Sequence, residues 1–272
     1  MVHVRRAYAD TSIGQIHYRI AKPNSGSPSA VPLLMLHMSP ASSLVYERLM
    51  QVLGESRLCF APDTPGYGNS DSTPDVPTIE QFADVMIEFL DALGLTEPVD
   101  VMGYHTGSMT SISLADRYPD RIRRIVMVSA PIFTEEDLQR FATIYSEEPL
   151  WTEDGERLLA LWKWFVEFFK VGEVNSVADA GRIFYERLSG REKYWWGHHA
   201  AFAFDLQSAI TRVSLPILVI NPGDDLPVFT RRAEGLLVNG TIEEHPEWTH
   251  GFMDSHSADA AKVINQFLNG AN

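Results

Sequence analysis

Cysteine is nearly absent: the 272 residues hold one, Cys59, inside the apolar stretch Arg57-Leu58-Cys59-Phe60. A single thiol excludes an internal disulfide and the stapled scaffolds that depend on one. It predicts a core-packing side chain in a reducing compartment, so a cytoplasmic protein is expected. Basic charge is also scarce. Lys and Arg number 22 against 36 Asp and Glu, a formal net charge of −14. That balance excludes the basic footprint that nucleic acid or an anionic membrane would require, and the acidic surplus reads as solvated surface. No apolar run is long enough to span a bilayer, and none follows the basic residues of Met1-Val2-His3-Val4-Arg5-Arg6-Ala7, so neither a membrane span nor a secretory signal is expected. Repeats and low-complexity tracts are missing, and only Lys22 to Ser29 reads as a flexible loop.

What is present is alternation. Gly14 to Ile20 runs with period two, as a half-buried edge strand paired with residues 3 to 8 would. Pro32 to Leu36 is a continuous apolar run, the pattern of a strand buried on both faces, and Leu58 to Pro62, Val99 to Met102, Ile122 to Val128 and Leu215 to Ile220 read as further core strands. Between them lie amphipathic helices, one capped by Thr78 with Gln81 three residues on. This order predicts the α/β class, with a mostly parallel sheet and a ligand site beyond the strands' carboxyl ends. The alternation stops at Ser129-Ala130-Pro131. From Phe133 to about Ile210 the chain reads as helices rich in Trp and Phe, an insertion between two core strands. The expected organisation is a core of residues 1–132 and 211–272 and a helical cap, or lid, of 133–210.

One stretch organises the rest. In Val99 to Met109 an apolar strand runs into Gly103-Tyr104-His105-Thr106-Gly107 and then into a helix of small residues. Glycines flanking a sharp strand-to-helix turn leave only the central side chain, His105, pointing outward from a strained backbone, as in a nucleophile elbow.

Taken together, these residues resemble the α/β-hydrolase superfamily over nearly the whole chain. His37-Met38-Ser39-Pro40 is similar to its oxyanion loop, Asp63 to Ser70 to its aspartate-x-proline-glycine-x-glycine-x-serine turn, and Gly103 to Gly107 to its elbow. Asp224 and Asp225 stand where the family's acid follows a core strand. His250 stands where its general base precedes the last helix. The resemblance implies a cofactor-free, metal-free enzyme, with catalytic His105, His250 and Asp224. It implies oxyanion donors from the backbone of Ser39 and Thr106, with Met38, His37 and Tyr104 beside them. Trp164, Trp195 and Trp196 are expected in the cap's share of the pocket, and His198-His199 on the surface or in the cap. Ser42, Ser43 and Ser108 lie nearby, but none occupies the centre of the elbow.

Two departures shape the chemistry. Met38 replaces a small glycine, and His105 replaces the usual serine, cysteine or aspartate. A neutral imidazole has a lone pair, so His105 could attack an activated acyl group itself. Alternatively, His250, oriented by Asp224 or its neighbour Asp225, activates water while His105 positions it. Metal ligation by His37, His105, His250 and Asp224 is a third, disfavoured option. The expected function is hydrolysis of a small apolar or aromatic ester or carbonyl compound. The alternatives are a cofactor-free lyase or isomerase and a non-catalytic ligand-binding receptor. The expected partner is a small-molecule substrate, with a homodimer also admitted.

Overall fold

The computed structural model describes residues 1–24, 30–142, 150–173 and 176–270, so most of the expected loop at Lys22 to Ser29 lies outside it. The core is an eight-stranded sheet. Its strands are β1 (Arg5–Thr11), β2 (Gly14–Ala21), β3 (Leu33–Leu36), β4 (Cys59–Pro62), β5 (Val99–Tyr104), β6 (Ile122–Val128), β7 (Ile217–Pro222) and β8 (Gly240–His245). They lie in the order β1-β2-β4-β3-β5-β6-β7-β8. β2 is antiparallel to both its neighbours, and every pairing from β4 to β8 is parallel.

The continuous apolar strands are buried on both faces for a reason visible in β3. Leu34 and Leu36 pack on one side of the sheet with α2 (Ile79–Ala92) and α3 (Thr106–Arg117), while Leu33 and Met35 pack on the other with α1 (Glu47–Leu53) and α11 (Ser257–Leu268). The start of α2 is the capping box that Thr78 and Gln81 predict: the Thr78 hydroxyl accepts from the Gln81 N–H, and the Gln81 side chain accepts from the Thr78 N–H.

Between β6 and β7 the chain forms α4 (Glu135–Ala142), α5 (Glu156–Phe168), α6 (Val177–Arg187), α7 (Trp196–Ala203) and α8 (Leu206–Arg212). α8 joins the main core through Leu206, Ala209 and Ile210. α5 and α6 make a small core of their own from Phe165, Phe169, Ala180 and Ile183. Polar contacts tie α6 to the helices and loop beside the sheet: Arg182 to Asp254, Glu186 to the Ser42 hydroxyl, and Asp179 to Arg48 of α1 at 2.8 Å.

The topology locates the site. From β3 the chain steps outward to β4, then returns to the opposite side of β3 for β5. Loops leaving adjacent β3 and β5 therefore diverge, and the crevice at their carboxyl ends is where a doubly wound sheet accepts a ligand.

Candidate active site

His105 stands between β5 and α3 with φ 48° and ψ −107°. A positive φ on a residue with a Cβ costs about 1–3 kcal/mol and persists only where the surroundings enforce it. Here they do. A Cβ on Gly103 would lie 2.2 Å from the Gly107 carbonyl oxygen, and one on Gly107 would lie 2.0 Å from that of Leu36 in β3. No other residue allows the strand, turn and helix to approach this closely. The turn is pinned by the His105 N–H donating to Val128 O at 3.0 Å. As first residue of α3, Thr106 has an N–H with no intrahelical acceptor, directed at whatever lies above the elbow.

The His105 ring is mostly buried, and its Nε2 lies 2.7 Å from Asp224 Oδ2. The same carboxylate oxygen accepts from Ser129 Oγ at 2.9 Å, and Oδ1 accepts from the Leu226 N–H at 2.8 Å. A carboxylate so placed only accepts, so Nε2 carries the proton and Nδ1 is the ring nitrogen left for chemistry. Burial works against the imidazolium, but the Asp224 charge and hydrogen bond, with Asp225 behind them, outweigh it and raise the His105 pKa.

This corrects the expected pairing of His250 with Asp224. His250 Nε2 lies 3.0 Å from Asp225 Oδ1, and its Nδ1 is 3.4 Å from the Tyr104 hydroxyl. Two consecutive aspartates thus serve two different histidines. Burial alone would raise the Asp225 pKa, yet the His250 hydrogen bond and the charges of both rings hold it far below the usual carboxylate range. The two imidazoles stand edge to face with centroids 5.8 Å apart. Phe168 and Phe169 cover His250, at 4.5 and 5.1 Å.

A cavity of about 210 Å³ opens above the elbow. Its floor is His105, Thr106, Ser39 and Asp225. Its walls are Phe133, Phe141, Phe202 and Phe229 with Met109, Leu226, Pro131 and Ala201, and Arg140 and His198 add polar groups. The four phenylalanines touch one another, Phe141 and Phe202 stacking at 5.6 Å. The volume compares with the roughly 150 Å³ that encloses one benzene ring, so it suits a compact ligand. His250 is not part of this wall; it stands one layer behind His105.

Other expected residues lie elsewhere. His37 is structural: its Nε2 accepts from the Thr64 N–H at 2.8 Å, and its Nδ1 donates to the Met38 carbonyl at 2.8 Å. Burial lowers its pKa. Met38 and Tyr104 pack in the core under α1 and α11. Trp164 is exposed, with Arg187 over its ring; Trp195 and Trp196 pack against each other, Trp196 beneath the Lys193 ammonium. None of the three tryptophans lines the cavity, because aromatic residues on a helix point in several directions and only one face of α7 meets the site.

That face carries His198, which the divergence of adjacent helical side chains places on the surface or in the cap. Its helical spacing with Ala201 and Phe202 was the available signal. Buried there and near Arg187, it has its pKa lowered to about 3 and is neutral. Asp225's role was open in the sequence. Ser129 and the phenylalanines of α4 and α9 (Pro227–Arg231) left no sequence signal, since nothing local marks them as neighbours.

His105, Asp224 and Asp225 offer ligand atoms within 4.8 Å of one another. Each carboxylate is already matched to a histidine, so direct hydrogen bonding accounts for the cluster.

A model of the alpha/beta hydrolase fold matches residues 31–169. Among named relatives, a cis-3-alkyl-4-alkyloxetan-2-one decarboxylase from Shewanella oneidensis is 31% identical over 105 residues, 38% of this chain and 33% of that protein. A 2-hydroxymuconate semialdehyde hydrolase from a Pseudomonas species is 32% identical over 108 residues, 38% of each. The chain thus spans little more than a third of the length of either. Among solved structures, the enol-lactonase of Burkholderia xenovorans superposes with a TM-score of 0.77 at 20% identity, covering 97% of this chain and 100% of that one. With the family's own model spanning half the sequence and its sheet order, elbow and crevice all in place, the chain belongs to the alpha/beta hydrolase fold family.

Proposed function

We propose that this protein hydrolyses small esters or lactones with an apolar, planar acyl group, and that His105, oriented by Asp224, is its general base. The observation that carries this reading is the 2.7 Å contact between His105 Nε2 and the buried Asp224 carboxylate, which ties one nitrogen of a ring that lines the cavity. That is the histidine–acid half of a hydrolytic triad with the two ring nitrogens exchanged.

The same tether argues for a base rather than a nucleophile. Nε2, the less hindered nitrogen, is occupied, and Nδ1 lies beside its own Cβ, where an acyl group would be crowded. A proton needs no such room. Asp224 favours the imidazolium that forms when His105 accepts it, and the Thr106 and Ser39 N–H groups would receive the oxyanion. The aromatic walls suit a flat acyl group. His250 braces Asp225 of the floor from behind. The helices of 133–210 act as a cap that excludes water. Among the described residues no helix is long and apolar enough to cross a membrane. Cys59 is buried, its thiol pushed up to about 12. The lone buried thiol and the acidic charge fit a cytoplasmic enzyme on a small molecule.

Steady-state hydrolysis of an aryl ester and lactone panel tests the reading. His105→Ala should lower kcat/KM by about 10²- to 10⁴-fold, the usual worth of a positioned base. Turnover by the wild type that this variant retains in full would refute it.

A further inference from the structure

A base needs a hydroxyl to deprotonate. The serines near the site are engaged: Ser42 with Glu186, Ser43 with the Arg19 guanidinium, Ser108 with the Gly103 and Val128 carbonyls, Ser129 with Asp224. Ser39 differs. It lies on the floor of the cavity with His105 and is 8% exposed, and its buried Oγ has the Tyr67 hydroxyl beside it only as a loose partner, outside ordinary hydrogen-bond geometry. A buried hydroxyl so weakly held is rare in folded proteins and calls for a reason.

Its surroundings are built around it. A Cβ on Gly197 would come within 2.0 Å of Ser39 Oγ and 2.9 Å of the Tyr67 hydroxyl, so α7 approaches this serine only because glycine stands there. The Gly197 N–H donates to Tyr67 Oη at 2.6 Å, fixing that approach. Oγ is therefore held under the cap, and rotation about one bond moves it among its staggered positions.

We propose that Ser39 is the nucleophile, so that the working triad is Ser39–His105–Asp224, with serine on the oxyanion loop and histidine on the elbow. Because this step uses His105 as base, it rests on the reading above. Ser39 Oγ forms a bond to the substrate's carbonyl carbon, its proton passes to His105 Nδ1, and the carbonyl π pair moves onto oxygen, held by the Thr106 N–H. Collapse of that intermediate expels the alkoxide, which takes the proton from His105. Water then attacks the acyl-serine by the same route, returning the proton to Ser39 and releasing the acid. The exchange explains how an elbow without a nucleophile can remain part of a hydrolase.

The test combines an alkyl fluorophosphonate with kinetics. Wild-type protein should gain one phosphonyl group by intact mass, mapped to the peptide carrying Ser39, and the label should form much more slowly in His105→Ala. Ser39→Ala should lose the label and at least about 10³-fold in kcat/KM, while circular dichroism and melting temperature show it folded. Ser39→Cys should accept an iodoacetamide label at the same position. If Ser39→Ala hydrolyses at the wild-type rate, or the phosphonyl group maps to Thr106 or His105, this proposal falls. His105→Ala being inactive in that case would leave the base assignment standing. A wild type that hydrolyses esters while staying unlabelled also overturns it.

Discussion

At residue 105 two opposing effects meet, and their balance is measurable. Burial is the larger single influence and disfavours the imidazolium, yet Asp224 and Asp225 together raise the pKa. A base works only when neutral, so activity should be lost as pH falls through that raised value. The acid limb of kcat/KM is then expected above the ordinary histidine value of about 6.5. In Asp224→Asn the main opposing charge is gone and burial remains, so the limb should move to lower pH, which a pH–rate profile reads directly. The sign for stability is the reverse. The His105–Asp224 pair stabilises the fold fully below pH about 6.5 and loses that contribution as pH rises through the folded-state pKa.

At the scale of elements, the elbow is a three-way contact among β3, β5 and α3. Gly107→Ala would drive a methyl group into the Leu36 carbonyl, a backbone atom with no freedom to retreat. About 3 kcal/mol of stability should be lost by urea denaturation. The elbow was legible because its glycines and small residues are consecutive. The cavity walls were not, since Phe133, Phe141, Phe202 and Phe229 come from separate segments and meet only when α4, α7 and α9 pack. Phe202→Ala should therefore raise KM for aryl substrates several-fold while changing it little for acetyl esters, as paired Michaelis–Menten measurements would show.

Across the whole molecule, the end of the sheet remote from the site is closed by charge. Arg57, with no exposed side chain, bonds Asp100 at 3.1 Å and reaches Asn265 and Asn269 around α11. Asp100 also accepts from Arg123 of β6 at 2.7 Å. Burial raises the Asp100 pKa despite these partners. Arg57→Ala would leave that carboxylate to Arg123 alone and Asn265 and Asn269 without their partner, so a loss of roughly 3 kcal/mol is expected in chemical denaturation. The folded fraction should keep its kcat/KM, because this network stands at the opposite ends of the strands from His105.

Local order along the chain was enough to determine the α/β architecture, the elbow with histidine at its centre, and the exclusion of an internal disulfide. Each depends on consecutive residues or on composition. Only the folded chain decided which aspartate serves which histidine: side chains on neighbouring residues diverge, and a shift of one position moves the carboxylate to the other ring. It also decided that His250 is covered, that the tryptophans lie outside the cavity, and that the Ser39 hydroxyl is buried at its edge. Those outcomes turn on the packing of segments distant in sequence, to which no local periodicity responds.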